Sequence, residues 1–68
     1  MSHQKVITIN LVITEVERGR RSEFRGNGFI EVKEDARVEK RHFSPQNAET
    51  SPTSVVIRMA QMLSDIRY

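Results

Sequence analysis

The sequence predicts a two-layer α+β domain of ββα type: a three-stranded antiparallel meander (β-β-β-α) with one C-terminal helix packed on one sheet face. Three observations predict it. Apolar residues alternate with period two between Lys5 and Glu17. Two more extended segments follow, divided by short breaks rich in Gly, Arg or Asp. From Val55 onward the apolar spacing becomes helical. With 68 residues, 37% of them apolar and 29% charged, the chain can build one hydrophobic core, so a single domain over 1–68 is expected. The composition is too apolar for disorder, and so short a chain leaves little room for a deep active-site cavity.

The first strand is expected at about residues 5–17. Ile7, Ile9, Leu11 and Ile13 form an aliphatic face; Val6, Thr8, Asn10, Val12, Thr14 and Val16 form the other, mostly β-branched and half polar. Thirteen extended residues span roughly 44 Å, so the strand must bend or reach beyond its own domain. Arg18-Gly19-Arg20-Arg21-Ser22 breaks the pattern and reads as a turn. A second strand at about 23–34 contains Gly26-Asn27-Gly28, read as a bulge, and Glu34-Asp35 turns the chain into a third strand at 36–43. The competing layout makes Gly26-Asn27-Gly28 the turn of one long hairpin. It opposes Glu15 with Glu39 and Glu23 with Glu31, and facing like charges disfavour it. The meander register pairs Leu11 with Ile30 and Ile9 with Val32, and a bulged turn at Asp35 sets Val38 opposite Val32 and Glu39 opposite Glu31.

A polar connection covers 44–51. Ser51-Pro52 then has the form of a helix start, a serine N-cap with proline at the first helical position, and the helix is expected over about 52–67. Val55, Met59, Met62 and Ile66, flanked by Val56, Ala60 and Leu63, cover an arc of about 160°. Ile57 falls on the polar side, nearly in line with Tyr68. A helix with one apolar stripe and a sheet with one apolar face must bury against each other. The second strand is then central and the first lies on an edge. The same order of elements occurs in many small modules, including the latter part of double-stranded-RNA-binding domains, but it carries no function by itself.

This packing leaves surface uncovered. Val6, Val12 and Val16 face away from the helix, and Phe29 and Phe43 share that side by parity in the expected register. Between Val6 and Val16 the first strand has no proline, lysine or bulge to protect its edge. A second copy of the chain or β-augmentation onto another protein would cover both features. A fold of residues 44–50 over the valine face would do the same within the chain.

Eleven basic residues stand against nine acidic ones, giving a net charge of +2 with the signs interleaved along the chain. Arginine outnumbers lysine eight to three, a bias suited to planar contacts at interfaces. The absence of cysteine excludes a disulfide framework and thiolate metal sites, and it favours the cytoplasm. The apolar run from Val6 to Val16 is too short and too polar for a membrane span and lacks the flanks of a signal peptide.

Few motifs carry chemistry. The GxG of Gly26-Asn27-Gly28 leads into a strand, where a dinucleotide site needs a helix. His3 and His42 lack metal-ligand spacing. Ser44, His42 and Asp65 have the residue types of a catalytic triad but no elbow or oxyanion motif around them. The expectation is therefore a non-enzymatic protein-binding module: a small accessory, regulatory or inhibitory protein that occupies a partner surface, as a homodimer. Val6, Thr8, Val12 and Val16 would supply apolar contact, Arg18, Arg20 and Arg21 electrostatic anchoring, and Ile57 with Tyr68 a peripheral contact. The alternative is a small basic nucleic-acid-binding protein using Arg18, Arg20, Arg21 and Arg25 on phosphates. No cofactor, metal, membrane or small-molecule substrate is expected.

Overall fold

Two tight turns set the entire sheet. Gly19 and Arg20 join β1 (Lys5–Arg18) to β2 (Arg21–Glu34), with Arg18 directly opposite Arg21. Gly19 has φ 64°, and a positive φ at the first of two central positions suits the right-handed twist of a hairpin. Asp35 and Ala36 join β2 to β3 (Arg37–Phe43) in the same way, with Asp35 at φ 54° and Glu34 opposite Arg37. Aspartate is among the few non-glycine residues that tolerate this region. The computed structural model describes residues 4–66 and contains the expected ββα fold: an open antiparallel sheet in the order β1-β2-β3 and one helix, α1 (Pro52–Asp65), packed on it.

The meander is therefore present and the single long hairpin is not, but its register differs from expectation. Ile9 faces Ile30, Ile7 faces Val32 and Leu11 faces Gly28. The pairing runs unbroken from Lys5–Glu34 to Arg18–Arg21, so Gly26-Asn27-Gly28 is not a bulge. Its glycines serve close approach instead. A Cβ on Gly28 would run into the Asn10 carbonyl, and one on Gly26 would collide with Val55 and lie 2.8 Å from Phe43 Cε2. The second turn is also unbulged. Val38 consequently faces Lys33, on the side away from the helix, while Glu31 faces Lys40 and not Glu39. Phe43 lies opposite Gly28 on the helix side and is buried, not on the valine face. One residue more or less in a turn exchanges the faces of a whole strand.

The helix begins as its sequence indicates. Ser51 is the N-cap in extended geometry, its Oγ accepting the Ser54 N–H at 3.2 Å, and Pro52 occupies the first turn. At the other end the Ile66 N–H donates to the Leu63 and Met62 carbonyls at 3.2 and 3.3 Å. Ile30, Val32, Phe43, Val55, Met59 and Ile66 form the buried core, with Ile7, Leu11, Ile13, Phe24, Met62 and Leu63 packed around it. The buried arc of the helix is narrower than expected, because Val56 and Ala60 are exposed.

The helix shelters only part of the hairpin. No residue from Thr14 to Glu23 joins the core, and the molecule is 57 Å long but only 16 by 14 Å across. The outer half of the β1–β2 hairpin is thus a projecting two-stranded arm, which accounts for the length of the first strand. At its root, Phe24 exchanges backbone hydrogen bonds of 2.8 and 2.9 Å with Glu49, and Arg25 Nη1 donates to the Gln46 carbonyl at 3.1 Å. The connecting segment therefore runs along the open edge of β2 beyond the end of β3. It does not cover the valine face.

Candidate interaction surfaces

Side chains alternate across each strand and directly opposed residues share a face, so the register sorts every sheet residue onto one of two sides. The side away from the helix carries Val6, Thr8, Asn10, Val12, Thr14 and Val16 of β1, opposite Lys33, Glu31, Phe29, Asn27, Arg25 and Glu23 of β2. Val12 is 58% exposed and Val16 37%, with Val6 between them in value. Thr8 is exposed as well. The four β1 residues expected to make apolar contact therefore lie in one row, with Asn10 and Thr14 interspersed.

Arg18 and Arg21 extend that row to the end of the arm on the same side, and Arg20 sits in the turn; all three are exposed. Arg18 Nε lies 3.5 Å from Glu23 Oε2 across the hairpin. The expected valine and arginine elements thus belong to one surface. Ile57 does not join them. It is 51% exposed on the solvent side of the helix, beyond the opposite face of the sheet. Tyr68, its expected companion, lies outside the described residues.

Charge is sorted by the same alternation. The valine side holds Arg18, Arg21, Arg25, Lys33 and Lys40 against Glu23 and Glu31; the helix side of the sheet holds Lys5, Arg37 and Arg41 against Glu15, Glu17, Glu34 and Glu39. Signs that alternate in the sequence separate in space, and the valine side is cationic. Lys40 Nζ stands 4.2 Å from the centroid of the Phe29 ring on that side. This segregation, invisible in a charge count, follows from strand period and register.

The two edges of the sheet differ. Short, charged β3 is protected by Arg37, Glu39, Lys40 and Arg41. Among the described residues no strand lies beyond β1. Phe24 directs its N–H and C=O to Glu49, away from β1, so even-numbered β2 residues bond outward and odd-numbered ones bond to β1. The odd-numbered residues are paired with even-numbered β1 positions. The N–H and C=O groups of Ile7, Ile9, Leu11 and Ile13 therefore point to the open edge.

Ile9 is a site that the sequence pattern concealed. It belongs to the aliphatic face yet is 51% exposed, whereas its neighbours on that face, Ile7, Leu11 and Ile13, pack against the core. Arg58, Gln61, Met62 and Asp65 line a pocket with His42 and Phe43 on the β3 side, and Arg58 Nε reaches Glu49 Oε2 at 3.6 Å. The opposite helix flank, with Val56, Ala60 and Leu63, is accordingly turned toward β1. The open edge thus has exposed apolar residues on both of its sides.

The β3-side pocket also receives Ser44 beside His42 and Asp65. Among the described residues no hydrogen bond joins these three side chains, and no cluster of three or more His, Cys, Asp or Glu side chains could hold a metal ion. No described helix is long and apolar enough to cross a membrane.

The fold and its surfaces define a ββα-type α+β domain with a projecting β-ribbon and an open, apolar strand edge. In comparisons with known proteins the chain matches no family model, no curated protein and no solved structure.

Proposed function

We propose that this chain is a non-enzymatic protein-binding module, a small accessory, regulatory or inhibitory protein that acts by occupying a partner surface and that self-associates. The observation that carries this reading is the exposed row Val6, Thr8, Val12 and Val16, continued by Arg18 and Arg21 on one face of the hairpin. Fully burying a valine is worth roughly 1.5–3 kcal/mol, and Val6, Val12 and Val16, at 46%, 58% and 37% exposure, would each gain about half of that if another molecule covered them. The arginines at the end of the row suit bidentate contacts with carboxylates at the rim of such an interface. Ile57 lies apart from this surface and has at most a peripheral role.

The test is affinity capture from the native host with wild-type and Val12→Lys baits, with Ile57→Lys as the control for an unrelated surface. Wild type and Ile57→Lys should retain the same partner proteins, and Val12→Lys should lose them. Capture unchanged by Val12→Lys sinks the reading.

A second reading is favoured by the segregation of charge. Arg18, Arg20, Arg21 and Arg25 on a ribbon narrow enough for a nucleic-acid groove would contact phosphates, with Lys33 and Lys40 behind them. A duplex oligonucleotide titrated at two salt concentrations separates the readings. Phosphate binding weakens steeply with salt and is abolished by the triple substitution Arg18, Arg20, Arg21→Ala, whereas absence of binding at low salt removes this reading.

A further inference from the structure

The open edge of β1 is self-complementary, and we infer that its occupant is β1 of a second copy, antiparallel, about a two-fold axis at Asn10. This rests on the protein-binding reading and names one partner of that surface. The backbone imposes the first constraint. Only odd-numbered residues of β1 point their N–H and C=O outward, so hydrogen-bonded pairs across a β1–β1 junction must join odd to odd. That pairing keeps the aliphatic face of both copies on one side and puts both helices there.

Side chains then select among the registers that remain. With Asn10 on the axis, Ile9 pairs with Leu11, Ile7 with Ile13 and Lys5 with Glu15 of the second copy. Every aliphatic residue on the helix side meets another, and the row is closed at each end by opposite charges. Lys5 Nζ already lies 3.5 Å from Glu34 Oε2, so the lysine would bridge its own Glu34 and the Glu15 of the second copy. Sliding by one step of the ladder toward Leu11 sets Ile7 against Glu15, and sliding toward Ile9 sets Lys5 against Ile13. Each slip places a charge on an aliphatic side chain twice over, by symmetry.

The pairing also accounts for exposure that the monomer leaves unexplained. Ile9 gains a neighbour on its open side, and the flanks carrying Val56 and Leu63 border the junction from both copies. On the other side of the sheet, Val6 meets Thr14 and Thr8 meets Val12, so the two valine rows become adjacent. The result is a six-stranded sheet with protected β3 strands at both outer edges. The arginine arms of the two copies point in opposite directions, and the valine face remains open to a further partner.

The absence of cysteine makes the test direct. Asn10 faces its own symmetry mate in a non-hydrogen-bonded pair, where Cα atoms stand about 4.5 Å apart, within disulfide range. Under mild oxidation Asn10→Cys should form covalent dimer at least about tenfold faster than Asn27→Cys, a control on the neighbouring strand, by the proximity that pairing enforces. Val12→Cys alone should not link, its mate being about 13 Å away, but should link to Thr8→Cys when the two are mixed. Ile9→Pro removes an outward N–H and spares the β1–β2 ladder, so it should raise the dimer dissociation constant more than about tenfold. Light scattering gives the mass. A dimer in which Asn10→Cys links no faster than Asn27→Cys overturns the edge pairing, and self-linking of Val12→Cys overturns the register. Monomer throughout the micromolar range overturns the inference, while the capture experiment with Val12→Lys still decides the broader reading independently.

Discussion

The two halves of the β1–β2 hairpin have similar strands and opposite fates. In the inner half, Ile30 and Val32 lie under the helix and are buried, and glycines at positions 26 and 28 let Val55, Phe43 and the β1 backbone approach. In the outer half, from Glu15 to Arg21, every residue is exposed. Strand pairing is continuous through both halves. Backbone hydrogen bonding alone therefore does not distinguish core from arm; contact with a second layer does. A two-stranded ribbon without that layer is only marginally stable.

The sharpest way to break this contrast is at Gly28. Replacement by alanine places a methyl group against the Asn10 carbonyl, part of the backbone, which cannot rotate away. The domain should lose its cooperative urea transition, followed by circular dichroism because the chain has no tryptophan; a near-native midpoint would mean the strands approach less closely than described. Next, Ile30→Ala should cost about 2–4 kcal/mol by removing buried methyl groups and leaving a cavity, whereas Val16→Ala in the arm should change stability by less than about 0.5 kcal/mol. Equal effects would show that the arm is packed in solution.

Smaller effects sharpen the same comparison. Ser51→Ala should cost about 1 kcal/mol, since the Oγ satisfies the Ser54 N–H at the start of the helix that makes the inner half a core. Gly19→Ala strains a turn at positive φ, yet the turn closes only the arm. It should speed hydrogen exchange of arm amides and leave exchange at Ile30 within about twofold. Acceleration at both sites would join the arm to the global unfolding unit.

Much of the architecture was legible because its signals are local. The expected strands at 5–17, 23–34 and 36–43 and the helix at 52–67 correspond to Lys5–Arg18, Arg21–Glu34, Arg37–Phe43 and Pro52–Asp65. The valine row was legible by the same logic, since period two places Val6, Val12 and Val16 together whatever they pair with. Ile9 was not, because alternation groups it with Ile7, Leu11 and Ile13, and only the tertiary packing leaves it exposed while those three are partly buried. Phe43 and Val38 lie on the faces opposite to those expected because the β2–β3 turn differs by one residue from the bulged turn that the expected register requires.

By itself the sequence determined which segments are strands and helix, where they are capped and which side chains share a strand face, since these depend on backbone sterics and hydrogen bonds a few residues apart. Only the tertiary structure decided the register, the half of the hairpin that the helix covers and the face on which the cations gather. Those depend on turn lengths and on close approach between elements distant in the chain, and a shift of one position there exchanges inside for outside.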